Sequence, residues 1–230
     1  EDRADAGRIR TLAEQAHVPI LIGSNQVERG EPNKYFNAAF LVRSDGSTGG
    51  VYRKMHLVPF GEYVPLKKVL FFVGRLVEAV SDFSPGESPV LLSINGHLAS
   101  VAICYEIVYP GLVRRFVREG SELLVTITND AWFGRSSAPY QHFEMASMRA
   151  IEEGRYLVRA ANTGISGIVD PYGRAEVRSA IFEPAVVVGG ARFLRVPTVY
   201  ARIGDLFAYI STAVSLVLLL QSRIWRLLTT

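Results

Sequence analysis

The only cysteine of the 230-residue sequence, Cys104, closes the apolar run His97 to Ile103 and is followed at once by Tyr105 and Glu106. Lys54 lies at the root of a segment dense in Pro, Gly and charge, YRKMHLVPFGEYVP, and Glu62 follows it eight residues on. A thiolate is a good nucleophile, but a free thiol with a pKa of about 8.5 is mostly protonated at neutral pH and needs a base or a nearby cation. A lysine within reach stabilises the thiolate and then the oxyanion of a tetrahedral intermediate, while a carboxylate removes the thiol proton. Cysteine, lysine and glutamate are the residue types this chemistry requires. Taken singly, each has a plainer reading: a small buried hydrophobe for Cys104, a solvated pair for Lys54 and Glu62, a structural ion pair for either glutamate.

The elements around the thiol form a strand-helix-strand unit. His97 to Ile103 reads as a buried strand, Gly111 to Glu119 as a helix with Leu112, Val113, Phe116 and Val117 at helical spacing, and Leu123 to Thr128 as a second strand parallel to the first. That second run ends in Asn129, Asp130 and Trp132, and polar groups at the carboxyl ends of parallel strands gather in one crevice. Upstream, Asp5 to His17 is an amphipathic helix with Ile9, Leu12, Ala13 and Ala16 on one face, followed by a strand from Pro19 that stops at Gly23. Tyr35 to Val42 and Gly50 to Tyr52 flank a turn centred on Asp45-Gly46. Downstream, Gln141 to Arg155 is a helix with Phe143, Ala146, Ala150 and Ile151 inward, and Tyr156 to Ala161, Ile165 to Val169 and Ala185 to Val188 are strands. The alternation predicts a layered α/β domain.

Composition narrows the function classes. A chain with 49% hydrophobic residues can bury a sizeable single core. The net charge of +3 comes from dispersed Lys and Arg with no basic stripe, which argues against nucleic acid as a partner. One cysteine permits no intrachain disulfide, and the polar start EDRADAGRIR has no signal-peptide core. His17, His56, His97 and His142 show no metal-ligand spacing, and no cofactor or metal is expected.

Two segments read toward a membrane. Leu66 to Val80 carries an apolar stripe widened by Phe71 and Phe72 and interspersed with Lys67, Lys68 and Arg75; it is either a core-packing helix or an amphipathic arm on a membrane surface. Ile203 to Leu220 is apolar on all faces, with Asp205 as its one charge, and is expected to cross the bilayer. Arg223 and Arg226 behind it place the C-terminus in the cytoplasm and the preceding 200 residues outside.

Four segments in order, YRKMHLVPFGEYVP, VAICYEIVYP, NDAWFGRSSAPYQH and RAIEEGRYLVRAANTGISGIVDPYG, resemble the nitrilase-type domain of the apolipoprotein N-acyltransferases, and TVYARIGD is similar to that family's closing pattern. The resemblance implies a four-layer α-β-β-α sandwich over residues 1–199, on the extracytoplasmic face of the inner membrane, with residues 200–230 forming the last membrane helix and a short tail. It implies transfer of an acyl chain from a phospholipid to the α-amine of an S-diacylglyceryl-cysteine exposed by signal-peptide removal from a prolipoprotein. By position, Cys104 matches the nucleophile that becomes a thioester, Lys54 the lysine that stabilises the tetrahedral intermediate and Glu62 the carboxylate that positions it. Glu106 matches a further carboxylate at the site, and the Tyr105 amide would lie near the oxyanion. The family's general-base glutamate precedes the first helix in a strand-end segment. Glu1 is too close to that helix to take the role, so the sequence reads as the C-terminal fragment of a longer protein, without the first strand of its sheet.

Two other functions share these features. A nitrilase-type amidase would use the same cysteine, lysine and glutamate and deliver the acyl group to water. A membrane-anchored binding module would carry an inert thiol.

Overall fold

The computed structural model describes residues 3–63 and 83–229, with side chains described from 5 to 221 within those segments. The candidate arm Leu66 to Val80 lies outside the described residues.

Two sheets face each other. In the first, β1 (Ile20–Glu28), β2 (Lys34–Val42) and β3 (Thr48–Arg53) form an antiparallel meander. The second has six strands in sequential order: β4 (Leu92–Ile94), β5 (His97–Ile103), β6 (Leu123–Asn129), β7 (Leu157–Asn162), β8 (Gly167–Val169) and β9 (Ala175–Arg178). Its centre, β5-β6-β7, is parallel and its flanks are antiparallel. The helix α1 (Arg3–Ala16) lies outside the first sheet; α2 (Pro110–Arg118) and α3 (Ala138–Glu153) cover the second. This is the α-β-β-α layering expected for a nitrilase-like domain.

Strand alternation explains why the core is double. On β5 and β6, Val101, Ile103, Leu123 and Val125 point between the sheets, where they meet Ala39, Leu41 and Tyr52 of the first sheet. Their neighbours Ala102 and Leu124 point the other way, against Val113 and Val117 of α2 and Phe143, Ala146 and Ala150 of α3. Side chains on a strand alternate between faces, so central strands covered on both sides read as unbroken apolar runs. Each fully buried Val, Leu, Ile or Phe contributes about 1.5–3 kcal/mol.

Several expectations need correction. Gly23 does not end a strand, since β1 runs through it; a Cβ there would meet Ile127 Cδ1 at 2.8 Å, so the glycine lets the sheets approach. On α1 only Ala13 of the predicted face is buried, and Leu12 is 55% exposed, because α1 stands off the sheet over an open cleft lined by Ile22, Val27, Phe40 and Val42. That cleft is formed without Cys104, Lys54, Glu62 or Glu106. Ile151 points out from α3 rather than in. Ala185 to Val188 is no strand: it belongs to an irregular stretch in which Val186 and Val188 are exposed, and its apolar residues follow no sheet face. The short strands β4 and β9, bounded by turns, were not evident from hydrophobic periodicity.

The C-terminal helix also starts later than expected. A short α4 (Val199–Ile203) ends at Gly204, whose φ of 59° a side chain would strain, and α5 (Leu206–Thr229) begins after it. Arg114 of α2 fixes this break by donating to the carbonyls of Tyr200, Ala201 and Arg202. Among the described residues, no helix is long and apolar enough to cross a membrane.

Candidate active site

Cys104 sits where β5 gives way to a 3₁₀ turn, Cys104–Val108, and its φ is +54°. A non-glycine residue in this left-handed region is strained by about 1–2 kcal/mol, and such strain persists only where surrounding contacts over-determine it. The turn leaves Cys104 partly exposed at the end of a strand whose last five residues, 99–103, are all buried.

One of those contacts is made by Glu106. Its side chain folds back so that Oε2 accepts from the Ile103 backbone N–H at 2.8 Å. Oε1 accepts from the backbone N–H groups of Met55 at 2.8 Å and His56 at 2.9 Å, and from the Tyr52 hydroxyl at 2.9 Å. One fully buried carboxylate thus ties the residue before Cys104 to the residues on either side of Lys54. Burial pushes the Glu106 carboxyl up from its ordinary value, while the N–H donors of His56, Ile103 and Met55 and the Tyr52 hydroxyl act in the opposite direction. The Tyr52 hydroxyl is itself pushed upward, first by burial and then by the adjacent Glu106, and remains a donor.

Lys54 leaves the end of β3 with its side chain 1% exposed, and its ammonium lies 2.6 Å from Glu62 Oε2. The same oxygen accepts from the Val58 backbone N–H at 2.8 Å, and Glu62 Oε1 accepts from Asn37 Nδ2 at 2.9 Å. The Lys54 backbone is pinned as well, donating to the Asn37 carbonyl at 2.8 Å and accepting from Gly86 N–H at 2.8 Å. The structure therefore pairs Lys54 with Glu62 in a contact that is buried rather than solvated, and uses Glu106 to bracket both Lys54 and Cys104. Glu106 lies behind these two residues with four donors around it, an arrangement suited to holding the site rather than touching a substrate.

A second buried cluster lies beneath the thiol. Asp130, at the end of β6, accepts from Thr128 Oγ1 at 2.9 Å and from Arg159 Nη2 of β7 at 2.8 Å, and lies 3.0 Å from His142 Nδ1 of α3. The other ring nitrogen of His142, Nε2, is 3.2 Å from the Cys104 carbonyl oxygen. Burial pushes the Asp130 carboxyl up, but His142, Arg159 and Thr128 outweigh it and hold the group below the usual carboxylate value. Burial lowers the Arg159 guanidinium, against the opposing pulls of Asp130 and Cys104; it stays charged because arginine ordinarily titrates above about 12. Glycine at 164 is required by contact, since a Cβ there would meet Asp130 Oδ2 at 2.1 Å.

Sequence reasoning placed Asp130 in the crevice but missed the buried roles of His142, Arg159 and Tyr52 and the part-buried one of Asn37. No local pattern joins them: they come from α3, β7, β2 and β3 and meet only through the fold. Around the mouth, Tyr105 and Trp132 are both exposed, Trp132 to 86%. Among the described residues, no group of three or more His, Cys, Asp or Glu is placed to hold a metal ion.

A thiol on a strained strand-end residue and a buried lysine-carboxylate pair suit attack on a carbonyl through a covalent thioester. Comparisons with known proteins bear on the family and the fold. The chain is 46% identical over 209 residues to an apolipoprotein N-acyltransferase of Geobacter metallireducens, covering 90% of this chain and 40% of that one. It is 40% identical over 195 residues to an apolipoprotein N-acyltransferase of Methylococcus capsulatus, covering 84% and 38%. The chain thus spans about two-fifths of the length of these curated relatives. Among solved structures, a carbon-nitrogen hydrolase of Helicobacter pylori superposes with a TM-score of 0.61 at 19% identity, over 77% of this chain and 63% of that one. An amidase of the nitrilase superfamily from Nesterenkonia superposes with a TM-score of 0.59 at 24% identity, over 79% and 64%; both share the fold. The family model for carbon-nitrogen hydrolases matches residues 1–191, and the chain belongs to that family.

Proposed function

We propose that this chain carries the catalytic domain of an apolipoprotein N-acyltransferase. The observation that supports this most is the 46% identity to a protein of that name, over a region that includes the Cys104 turn and the Lys54–Glu62 pair. In the first step the Cys104 thiol loses its proton to a base and attacks the ester carbonyl of a phospholipid as the thiolate, the tetrahedral oxyanion is stabilised by the Lys54 ammonium, and the same proton is returned to the leaving oxygen so that a lysophospholipid departs as the alcohol. In the second, the α-amine of an S-diacylglyceryl-cysteine attacks the thioester, forms an amide and releases the thiol. The α-amine has an ordinary pKa of about 7.7–8.0, so a useful fraction is neutral near pH 7.

Glu62 positions Lys54 in this scheme, and Glu106 fixes the spacing of the two catalytic side chains. Neither is assigned as general base, because all four of their carboxylate oxygens are engaged by donors. No cofactor or metal enters either step.

A membrane location fits a lipid donor and a lipidated acceptor. It is supported by α5, where Phe207, Ile210, Val214, Leu218 and Leu220 are all exposed without a covering layer. We read residues 1–199 as the catalytic unit on the extracytoplasmic face, and residues 200–230 as the membrane anchor and its cytoplasmic end. The test is to incubate the protein with phosphatidylethanolamine vesicles and a diacylglyceryl-cysteinyl peptide bearing a free α-amine. A product heavier by one amide-linked acyl chain supports the assignment. Release of free fatty acid with the peptide unchanged, or turnover of simple amides alone, favours a hydrolase.

A further inference from the structure

The buried cluster under Cys104 has a direction that assigns one of its members a task. A backbone carbonyl can only accept a hydrogen bond, so the 3.2 Å contact with Cys104 O requires a proton on His142 Nε2. This holds however Nδ1 is arranged between Asp130 Oδ1 at 3.0 Å and Arg159 Nη2 at 3.1 Å. His142 is 3% exposed, and α3 reaches the same turn again two helical turns further along the same face, where Arg149 Nη1 donates to the Val108 carbonyl at 2.8 Å. The first and last residues of the 3₁₀ turn are therefore both tied to α3. Cys104 keeps its positive φ at a cost that this tie offsets.

We propose that His142 is a positioning residue for the nucleophile: its Nε2–H holds the Cys104 carbonyl, fixes the peptide in the left-handed conformation and so aims Sγ at the acyl carbon. Asp130 in turn orients the ring, with Arg159 and Thr128 orienting Asp130. The role in acyl transfer rests on the function proposed above; the role in presenting the thiol does not.

A pair of variants isolates the one hydrogen bond. Met and Gln have similar length and shape, but only Gln can donate to the Cys104 carbonyl. In the full chain, His142→Met should slow alkylation of Cys104 by iodoacetamide about 10- to 100-fold, as expected when a reacting atom loses its orientation. His142→Gln should recover most of that rate. In acyl transfer from phosphatidylethanolamine, His142→Met should lower kcat with KM for lipid little changed, and His142→Gln should restore kcat. Equal rates for Met and Gln variants, whether both fast or both slow, would overturn the proposal. The expected alkylation pattern in a protein that transfers no acyl chain would sustain the positioning role and refute the enzymatic assignment instead.

Discussion

The ammonium of Lys54 lies 2.6 Å from Glu62 Oε2, and the lysine side chain is 1% exposed. A buried ammonium paired with a carboxylate has a fixed place from which to meet a developing oxyanion. Removing an oxyanion donor typically costs about 100- to 1,000-fold in rate. Lys54→Ala should therefore slow acylation of Cys104 by about 100-fold or more. Glu62→Gln, which keeps the acceptor for Asn37 or Val58 but not the charge, should cost less than that. The two changes act through one group, so the double variant should be little worse than Lys54→Ala alone. Single-turnover acylation rates check this, and additive losses would separate the two residues.

Glu106 should matter to stability as much as to rate. Glu106→Ala leaves the buried Ile103 N–H, the part-buried N–H groups of Met55 and His56 and the buried Tyr52 hydroxyl without this acceptor, at about 1–3 kcal/mol for each group left unsatisfied and out of water. A loss of at least about 3 kcal/mol is expected in urea unfolding, whereas Tyr52→Phe should cost only about 1 kcal/mol. Equal stability of Glu106→Ala and the parent would contradict this bracketing role.

The sequence announced Cys104, Lys54 and Glu62 because each stands next to a sharp change of pattern: an apolar run that ends, or a Pro- and Gly-rich loop that begins. The β5-α2-β6 unit was legible for the same reason, and its strand His97 to Ile103 has the predicted limits. Glu106 was visible as a residue but not as a bracket, since its partners at 52, 55 and 56 come together with it only across the two sheets. His142 and Arg159 were hidden more deeply. A polar side chain on a helix or strand reads as solvated unless the partner that neutralises it is known. The false strand at Ala185 to Val188 shows the converse, an apolar run that the fold leaves exposed.

Gly164 offers a test of the lower cluster from outside it. Gly164→Ala would drive a methyl into the Asp130 carboxylate, where the approach is 2.1 Å. Displacing Asp130 frees the His142 ring and unpairs Arg159, so thiol alkylation should fall and stability should drop by about 3–5 kcal/mol, as when one partner of a buried ion pair is lost. Unfolding curves and alkylation rates measured together would expose a neutral outcome.

Glu153, away from the thiol, gives the fold a pH dependence. It is fully buried with neither carboxylate oxygen hydrogen-bonded, and burial, with Glu152 beside it, raises it to about 7. Between an ordinary value of 4.5 and about 7 the folded chain holds a proton that the unfolded chain has released. Stability contributed by this group is thus full below pH 4.5 and lost as pH rises through about 7, on the order of 3 kcal/mol in all. Glu153→Gln should remove that slope and stabilise the chain at pH 8. A slope unchanged in the variant would assign it to another group.

The proposed acyl transfer depends on a covalent intermediate at Cys104. The measurement is the intact mass of the protein after exposure to phospholipid vesicles of defined chain length, before and after neutral hydroxylamine, in the parent and in Cys104→Ser. The expected result is an increase of one acyl chain on the parent alone, removed by hydroxylamine and shifting with the chain length supplied. The same hydroxylamine-sensitive adduct on Cys104→Ser, or none on a parent that still transfers acyl chains, would contradict it.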